Sequence, residues 1–548
     1  MNHLARLSIL AACCLLGLFD ARRASADDEH SHHAEKLGTV TFPTSCAAVA
    51  KPGFERGLAL LHSFGYDEAR LAFEAAARVD PACAMPYWGI AMTYYHPLWA
   101  PPTDAELLAG RAAAEKAATL AAPTPREKAY VAAVGAFYRD EPGRDHRARA
   151  QAFRAAMEQV SSQFPDDHEA AIFHALTLLG TAPPSDTTFA QQKAAAAILE
   201  RLLPLEPDHP GISHYVIHSF DYPQLAELAL GAARAYAKIA PDSPHAQHMP
   251  SHIFTRLGLW QDSIASNLDS AASARKIAAL RKPGTTAYDE LHALDYLEYA
   301  YLQVGDEEKA AAVVKAVAGA AKVDDYFSAG FALAAVPARW ALERRAWAEA
   351  AAIEPPAMQL SWDRFAYAPA TAWFARALGA ARSGDRERAA AALAELTKVQ
   401  AALAAAPPAA NYDWAGHVES LRLAASGWLA HAERRDDEAV TQLTRAAELD
   451  EKVGKHPVTP GAVLPPRELL ADLLLELGRP ADALTQYELA LRSAPNRFNG
   501  LAGAAKAAAA AGQDENAHEL RTQLVALCAG ATSERPELRE ARAALAGR

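Results

Sequence analysis

The chain has 548 residues, 51% of them hydrophobic and 22% charged, with a formal net charge of −12. That is ample material for a large core or a long stack of units, and it excludes a mostly disordered chain. An acidic balance without a concentrated basic stripe also argues against a nucleic-acid partner, because a phosphate backbone would repel it.

The N-terminus reads as an export signal. Arg6 follows a short polar start, Leu7 to Phe19 is apolar, and Ala24-Ser25-Ala26 offers a small-residue cleavage site before Asp27. Removing residues 1–26, with Arg6, Arg22 and Arg23 against Asp20, takes the charge to −14. A second reading treats Leu10-Ala11-Ala12-Cys13 as a lipoprotein box behind a very short apolar run. The expected location is periplasmic or secreted, with the lipoprotein form as the alternative. The apolar stretch is too short to span a bilayer, and later alanine-rich runs are interrupted by Lys506, Arg339 or Pro337. No transmembrane helix is expected in the mature chain.

Residues 27–44 read as a flexible segment in which His30, His32 and His33 would capture metal loosely or stay solvated. Cys13 and Cys14 leave with the signal, so Cys46, Cys83 and Cys528 remain. An exported protein oxidises an available pair and leaves the third thiol free.

From residue 45 onward the pattern is a succession of alanine- and leucine-rich amphipathic helices divided by Pro, Gly and Asp clusters, without convincing strand alternation. Ala69, Phe73, Ala76 and Pro81 recur as Ala483, Tyr487, Ala490 and Pro495 with the same spacings of four, three and five. Each set follows a turn, Phe64-Gly65-Tyr66 in the first case and Leu477-Gly478-Arg479 in the second. Further turns are expected at Leu257-Gly258-Leu259-Trp260, Val304-Gly305-Asp306, Ser383-Gly384-Asp385 and Arg435-Asp436-Asp437. This resembles the tetratricopeptide repeat over most of residues 50 to 525. The resemblance implies an all-α solenoid of helical hairpins, a fold that serves scaffolds, receptors, chaperones and some enzymes alike.

Three blocks are expected, 45–160, 161–320 and 321–548, with irregular connections at Pro97 to Asp104, Thr181 to Thr188, Arg281 to Ala287, Glu354 to Asp363 and Gly454 to Pro466. Pro97 to Pro102, which contains Trp99, is the segment expected to act as a lid. Tyr87, Trp88, Met92, Tyr94, Tyr95 and Trp99 would hold an apolar ligand or pack between repeats. Cys46 precedes the first helix of the opening hairpin and Cys83 follows its second. Antiparallel packing should therefore join them in a disulfide.

Six histidines fall between His209 and His252. His214 and His218 lie four apart, and His245, His248 and His252 follow at three and four, so on helices each group shares a face. In the tetratricopeptide register these residues, with His292, Asp221, Asp295 and Tyr299, fall at the groove-facing positions of three successive first helices. A transition-metal site of His214, His218, His248 and His252 is expected, with His245, His292, Asp221, Asp295 and Tyr299 as further ligands or orienting groups. Nitrogen and oxygen donors suit zinc, copper, iron, nickel or manganese. Pro250 is expected to kink the helix that carries His248 and His252.

The competing reading of such spacings is a set of packed, hydrogen-bonded histidines. No His-Glu-x-x-His, phosphate-cradling glycine loop or Gly-x-Ser-x-Gly elbow is present. Three functions follow: a solenoid binding a protein, peptide or small ligand in a groove beside its metal, a metalloenzyme carrying out hydrolysis or oxidation with Tyr296 or Tyr299 as proton donors, or an envelope metal-binding protein without turnover. A plain scaffold without metal is the alternative to all of them.

Overall fold

Small residues around one aromatic explain why the helices pair. Phe73 is fully buried, and a Cβ added to Gly57 on its own hairpin or to Gly89 on the next helix would lie only 2.8 or 2.5 Å from its ring. Ala69 and Ala76 flank it inside, as Ala483 and Ala490 flank buried Tyr487. The computed structural model describes residues 35–98, 101–120, 124–141, 143–365, 367–406, 412–531, 533 and 535–547. The signal segment, the 27–34 stretch with His30, His32 and His33, and Trp99 of the expected lid lie outside the described residues.

From Leu37 onward the chain is an all-α solenoid of consecutive hairpins. The first pairs Lys51–His62 with Tyr66–Val79, and a later one pairs Pro466–Glu476 with Pro480–Ser493. Every turn expected from sequence falls at a helix junction, including Arg256 to Trp260, Gln303 to Glu307, Arg382 to Arg386 and Ala432 to Asp436. Gly258, Gly305, Gly384 and Gly478 supply the left-handed residue at four of these turns. In the opening hairpin that position is Phe64, with φ 53°.

Cys46 and Cys83 are joined by a disulfide, with Cα atoms 5.2 Å apart, and Cys528 is free and buried. Among the described residues no helix is long and apolar enough to cross a membrane. Pro337 does not interrupt its run, however; it sits within the Phe327–Glu343 helix, whose other residues are almost all buried. Tertiary packing there outweighs one lost backbone hydrogen bond.

The middle hairpins position the histidines. Pro210–Phe220, the pair Pro244–His248 and Pro250–Arg256, and Tyr288–Gln303 are the first helices of three successive units. Later repeats return against them. Trp260 donates to the Asn496 carbonyl at 2.7 Å, Arg497 donates to the Tyr299 hydroxyl at 2.6 Å, and the Gly454–Pro465 connection places Thr459 on Tyr296. The expected groove is thus filled at the histidines, none of which, His218 aside, exceeds 5% exposure.

Candidate metal centre

Six imidazoles meet in the interior, and they sort into two trios. His214, His218 and His245 form one; His248, His252 and His292 form the other, with potential ligand atoms in each within 4.8 Å of one another. The four rings expected around a single ion are therefore divided two and two, and His245 and His292 complete the sets. Each trio joins a same-helix pair one turn apart to a ring from the neighbouring first helix, which comes as close as the pair itself: His292 lies 4.1 Å from His248, ring centre to ring centre. His214 and His218 bring their Nε2 atoms to 3.1 Å, and His248 and His252 bring theirs to 3.0 Å. His245 Nε2 also stands 3.1 Å from His214 Nε2. The trios adjoin, with ring centroids 6.4 Å apart for His218 and His252 and 6.3 Å for His245 and His248.

Pro250 divides the helix without separating its rings. Met249 keeps helical backbone angles and the His252 N–H reaches the Met249 carbonyl in a tighter turn, and the Nε2 atoms of His248 and His252 stay 3.0 Å apart across the break.

Hydrogen-bond partners fix the tautomers. His214 Nδ1 lies 2.6 Å from the His62 carbonyl, which only accepts, so Nδ1 carries the proton and Nε2 a lone pair. Asn267 uses its amide N–H on the Ser263 carbonyl, leaving its oxygen to accept from His248 Nδ1 at 2.6 Å. His252 Nδ1 donates to the Asp221 carboxylate at 3.0 Å. Both His248 and His252 thus direct bare lone pairs at one another across 3.0 Å. Two such lone pairs in a buried site repel unless they share a cation, and nitrogens bound to one ion at about 2.0–2.1 Å sit roughly that far apart.

A proton is a poor cation for this place. Burial lowers the pKa of all six imidazoles, with His214 brought to about 3, and neighbouring rings lower His218, His245, His248 and His292 further. His252 is also lowered, although Asp221 opposes the effect of burial. Neutral imidazoles with oriented Nδ1–H groups are the form in which histidine binds a metal.

Around the trios the remaining expected residues take different places. Asp221 orients rather than ligates: it accepts from His252, from Arg256 at 2.9 Å and from Lys455 at 2.9 Å. Burial alone would raise its pKa, but Lys455, Arg256 and His252 hold it well below the ordinary carboxylate range. Asp295 pairs with Arg339 at 2.7 Å and Tyr299 with Arg497, so neither joins a trio. Tyr296 packs on His252 and His248 with centroids 5.1 and 4.7 Å away and donates to the Thr459 carbonyl at 3.0 Å.

Phe64, Asn267, the His62 carbonyl and Lys455 escaped sequence reasoning. Phe64 packs its ring 4.4 Å from His214 and 5.6 Å from both His218 and His245. A bulky residue in a left-handed turn costs about 1–2 kcal/mol relative to glycine, and here it walls off the first trio. The signal was available: this was the one full repeat whose turn lacked glycine at that position. Lys455 comes from the Gly454–Pro466 connection, whose composition marks an irregular loop but carries no sign that it covers the trios.

A third cluster, His62, Glu169 and His209, is complete in itself. Glu169 accepts from His62 Nε2 at 2.9 Å and His209 Nε2 at 3.0 Å, while their Nδ1 atoms face the Tyr215 hydroxyl and the Gly211 N–H. The grouping of Cys46, Cys83 and Asp80 is likewise accounted for by the disulfide.

The sequence matches no protein-family model and no curated protein. Solved helical-repeat structures are loosely similar. Yeast Tom70 aligns at 12% identity over 91% of this chain and 96% of that one, with a TM-score of 0.32. A human IFIT1 dimer with PPP-AAAA aligns at 12% identity over 86% and 89%, with a TM-score of 0.35. At such scores the likeness carries nothing about function, and the solenoid rests on the hairpins themselves.

Proposed function

We propose that this is an exported metalloprotein in which a tetratricopeptide-like solenoid holds a transition metal ion in each histidine trio and uses them on a small ligand. The observation that carries this reading is the pair of bare Nε2 lone pairs of His248 and His252, 3.0 Å apart with both Nδ1 protons committed elsewhere. Packing alone gives no reason for that arrangement, whereas a shared cation does. Burial of the rings beneath the Phe64 turn and the Lys455 segment favours a small ligand over a peptide in an open groove. Metal-dependent turnover fits better than passive storage, because storage does not require two adjoining sets of oriented imidazoles. Export is supported by the Leu7 to Phe19 and Ala24-Ser25-Ala26 pattern together with the Cys46–Cys83 disulfide.

Metal analysis of protein purified without a histidine tag tests the reading. Two ions per chain are expected, falling by at least one in the His248→Ala/His252→Ala double variant. Metal-free wild-type protein that gains no ion from zinc, copper or iron solutions would return the chain to a plain interaction scaffold.

A further inference from the structure

Resting on that reading of the trios as metal sites, we infer that they act together as a dinuclear copper centre that binds dioxygen between its two ions. Four features of the site converge on this assignment. The donor set is six imidazoles, with no carboxylate or thiolate grouped among them. Neutral nitrogen donors suit copper in both oxidation states and disfavour the harder ions that seek oxygen. Asp221, the carboxylate beside the trios, is engaged by His252, Arg256 and Lys455, which removes it both as a bridging ligand and as a base for metal-assisted hydrolysis.

Spacing supplies the second feature. Rings facing each other across the trios, at 6.3 and 6.4 Å, are scarcely farther apart than His252 and His292 within one trio, at 6.2 Å. Ions held by the two sets are therefore close enough for one diatomic molecule to bridge them, as in other two-metal sites with separations of about 3.5–4 Å.

Charge is the third. Lys455 and Arg256 place cations behind Asp221, and no anion lies among the ligands to offset the metal charge. Such surroundings favour the less charged Cu(I) form and then stabilise an anion formed between the ions. Burial is the fourth. Phe64 and Tyr296 wall the site with aromatic surface, which admits a small apolar molecule and excludes bulk water from what it becomes.

The binding step balances without another reactant. Each of two Cu(I) ions gives one electron and becomes Cu(II); dioxygen receives both and becomes peroxide, its O–O bond order falling from two to one. Copper–oxygen bonds form at both ions and no proton moves. Reversal returns both electrons to copper and releases dioxygen.

The test uses the full chain, stripped of metal, loaded anaerobically with Cu(I) and then exposed to dioxygen. Two copper ions per chain, uptake of one dioxygen per copper pair, and an oxidised product silent in electron paramagnetic resonance are expected, because bridged Cu(II) spins cancel. His292→Ala should leave a copper that becomes visible in the same spectrum after oxidation, with no paired uptake. Two bound coppers that oxidise to two separate, visible Cu(II) signals would overturn the dioxygen centre while leaving the metal reading intact. Retention of zinc with rejection of copper would overturn it equally, and failure to hold any metal would remove both readings. If His292→Ala does not fold, the wild-type stoichiometry and spectrum still decide.

Discussion

Glu169 with His62 and His209, and His292 with His248 and His252, are both buried three-residue clusters rich in imidazole, yet they differ in what they lack. Around Glu169 every ring nitrogen has a complementary partner and the carboxylate sits between two donors, so the cluster closes on itself. Between His248 and His252 the outer nitrogens are satisfied and the inner ones confront each other as lone pairs. Residue type and burial therefore do not distinguish a structural histidine cluster from a metal centre. The unspent hydrogen-bonding capacity does. The Glu169 cluster is joined instead to the other trio, since the His62 carbonyl that orients His214 belongs to the residue Glu169 holds in place.

The largest effect that sharpens this contrast is acid sensitivity of the metal-free protein. The six trio imidazoles have folded pKa values below the unfolded value of about 6.5, so the unfolded chain binds more protons as acid is added. Their contribution to stability is intact above that value and is lost as pH falls through it toward the folded values, about 3 for His214. Between pH 7.5 and 5.5 a ring held as low as His214 should cost about 1 kcal/mol, and the trios together several. That compares with a total of about 5–15 kcal/mol for a typical domain. Urea midpoints of metal-free protein at the two pH values measure it. Unchanged midpoints would mean that the rings are not held neutral.

Next in size is removal of Glu169. Glu169→Ala leaves the two facing imidazole donors without an acceptor in a buried site, and should cost about 3–5 kcal/mol in unfolding free energy. Because Glu169 is not in either trio, the ion count of folded protein should stay at two. His248→Ala/His252→Ala should differ in metal content, with ions lost from protein that is still folded, even though removing two buried rings and their bonds to Asn267 and Asp221 also costs stability. If Glu169→Ala strips metal while remaining folded, the clusters are not separable as argued.

Asp221→Asn probes the orienting group of the second trio. It keeps an acceptor near His252 Nδ1 but removes the negative charge that offsets Arg256 and Lys455. Loss of such a partner typically weakens metal binding by 10–100-fold. Competition with a chelator should show that weakening, confined to one of the two ions.

Much of this was legible beforehand for physical reasons. Hairpin packing needs small residues around an aromatic at fixed spacing, so Ala69-Phe73-Ala76 and Ala483-Tyr487-Ala490 announced the solenoid, and the turn residues located its junctions. Helical spacing likewise announced the facing pairs His214 with His218 and His248 with His252. Which rings join which ion depends on how successive first helices are offset, and no local pattern encodes that. The partners Asn267, the His62 carbonyl and Lys455 are contributed by tertiary contacts spanning 19, 152 and 234 positions in sequence. Asp295 and Tyr299 shared the helix face of His292 but were claimed by Arg339 and Arg497, cations donated by later repeats.

The smallest expected effect concerns Lys455, which marks the electrostatic difference between the clusters: the Glu169 cluster has an anion at its centre, whereas the trios have cations at their edge. Burial lowers the Lys455 pKa to about 8 even though Asp221 opposes the shift, so at neutral pH the ammonium is retained. Lys455→Met would remove a positive charge near the ions and free Asp221 to accept more strongly from His252 Nδ1. Both changes favour a bound cation, so metal affinity measured against a chelator at pH 7 should rise a few-fold, with Arg256 still neutralising the carboxylate. The rise should shrink above pH 8, where wild-type Lys455 has itself lost its charge. A fall in affinity instead would show that Lys455 matters as the brace of the Gly454–Pro465 segment over the trios, and that enclosure of the ions outweighs the charge beside them.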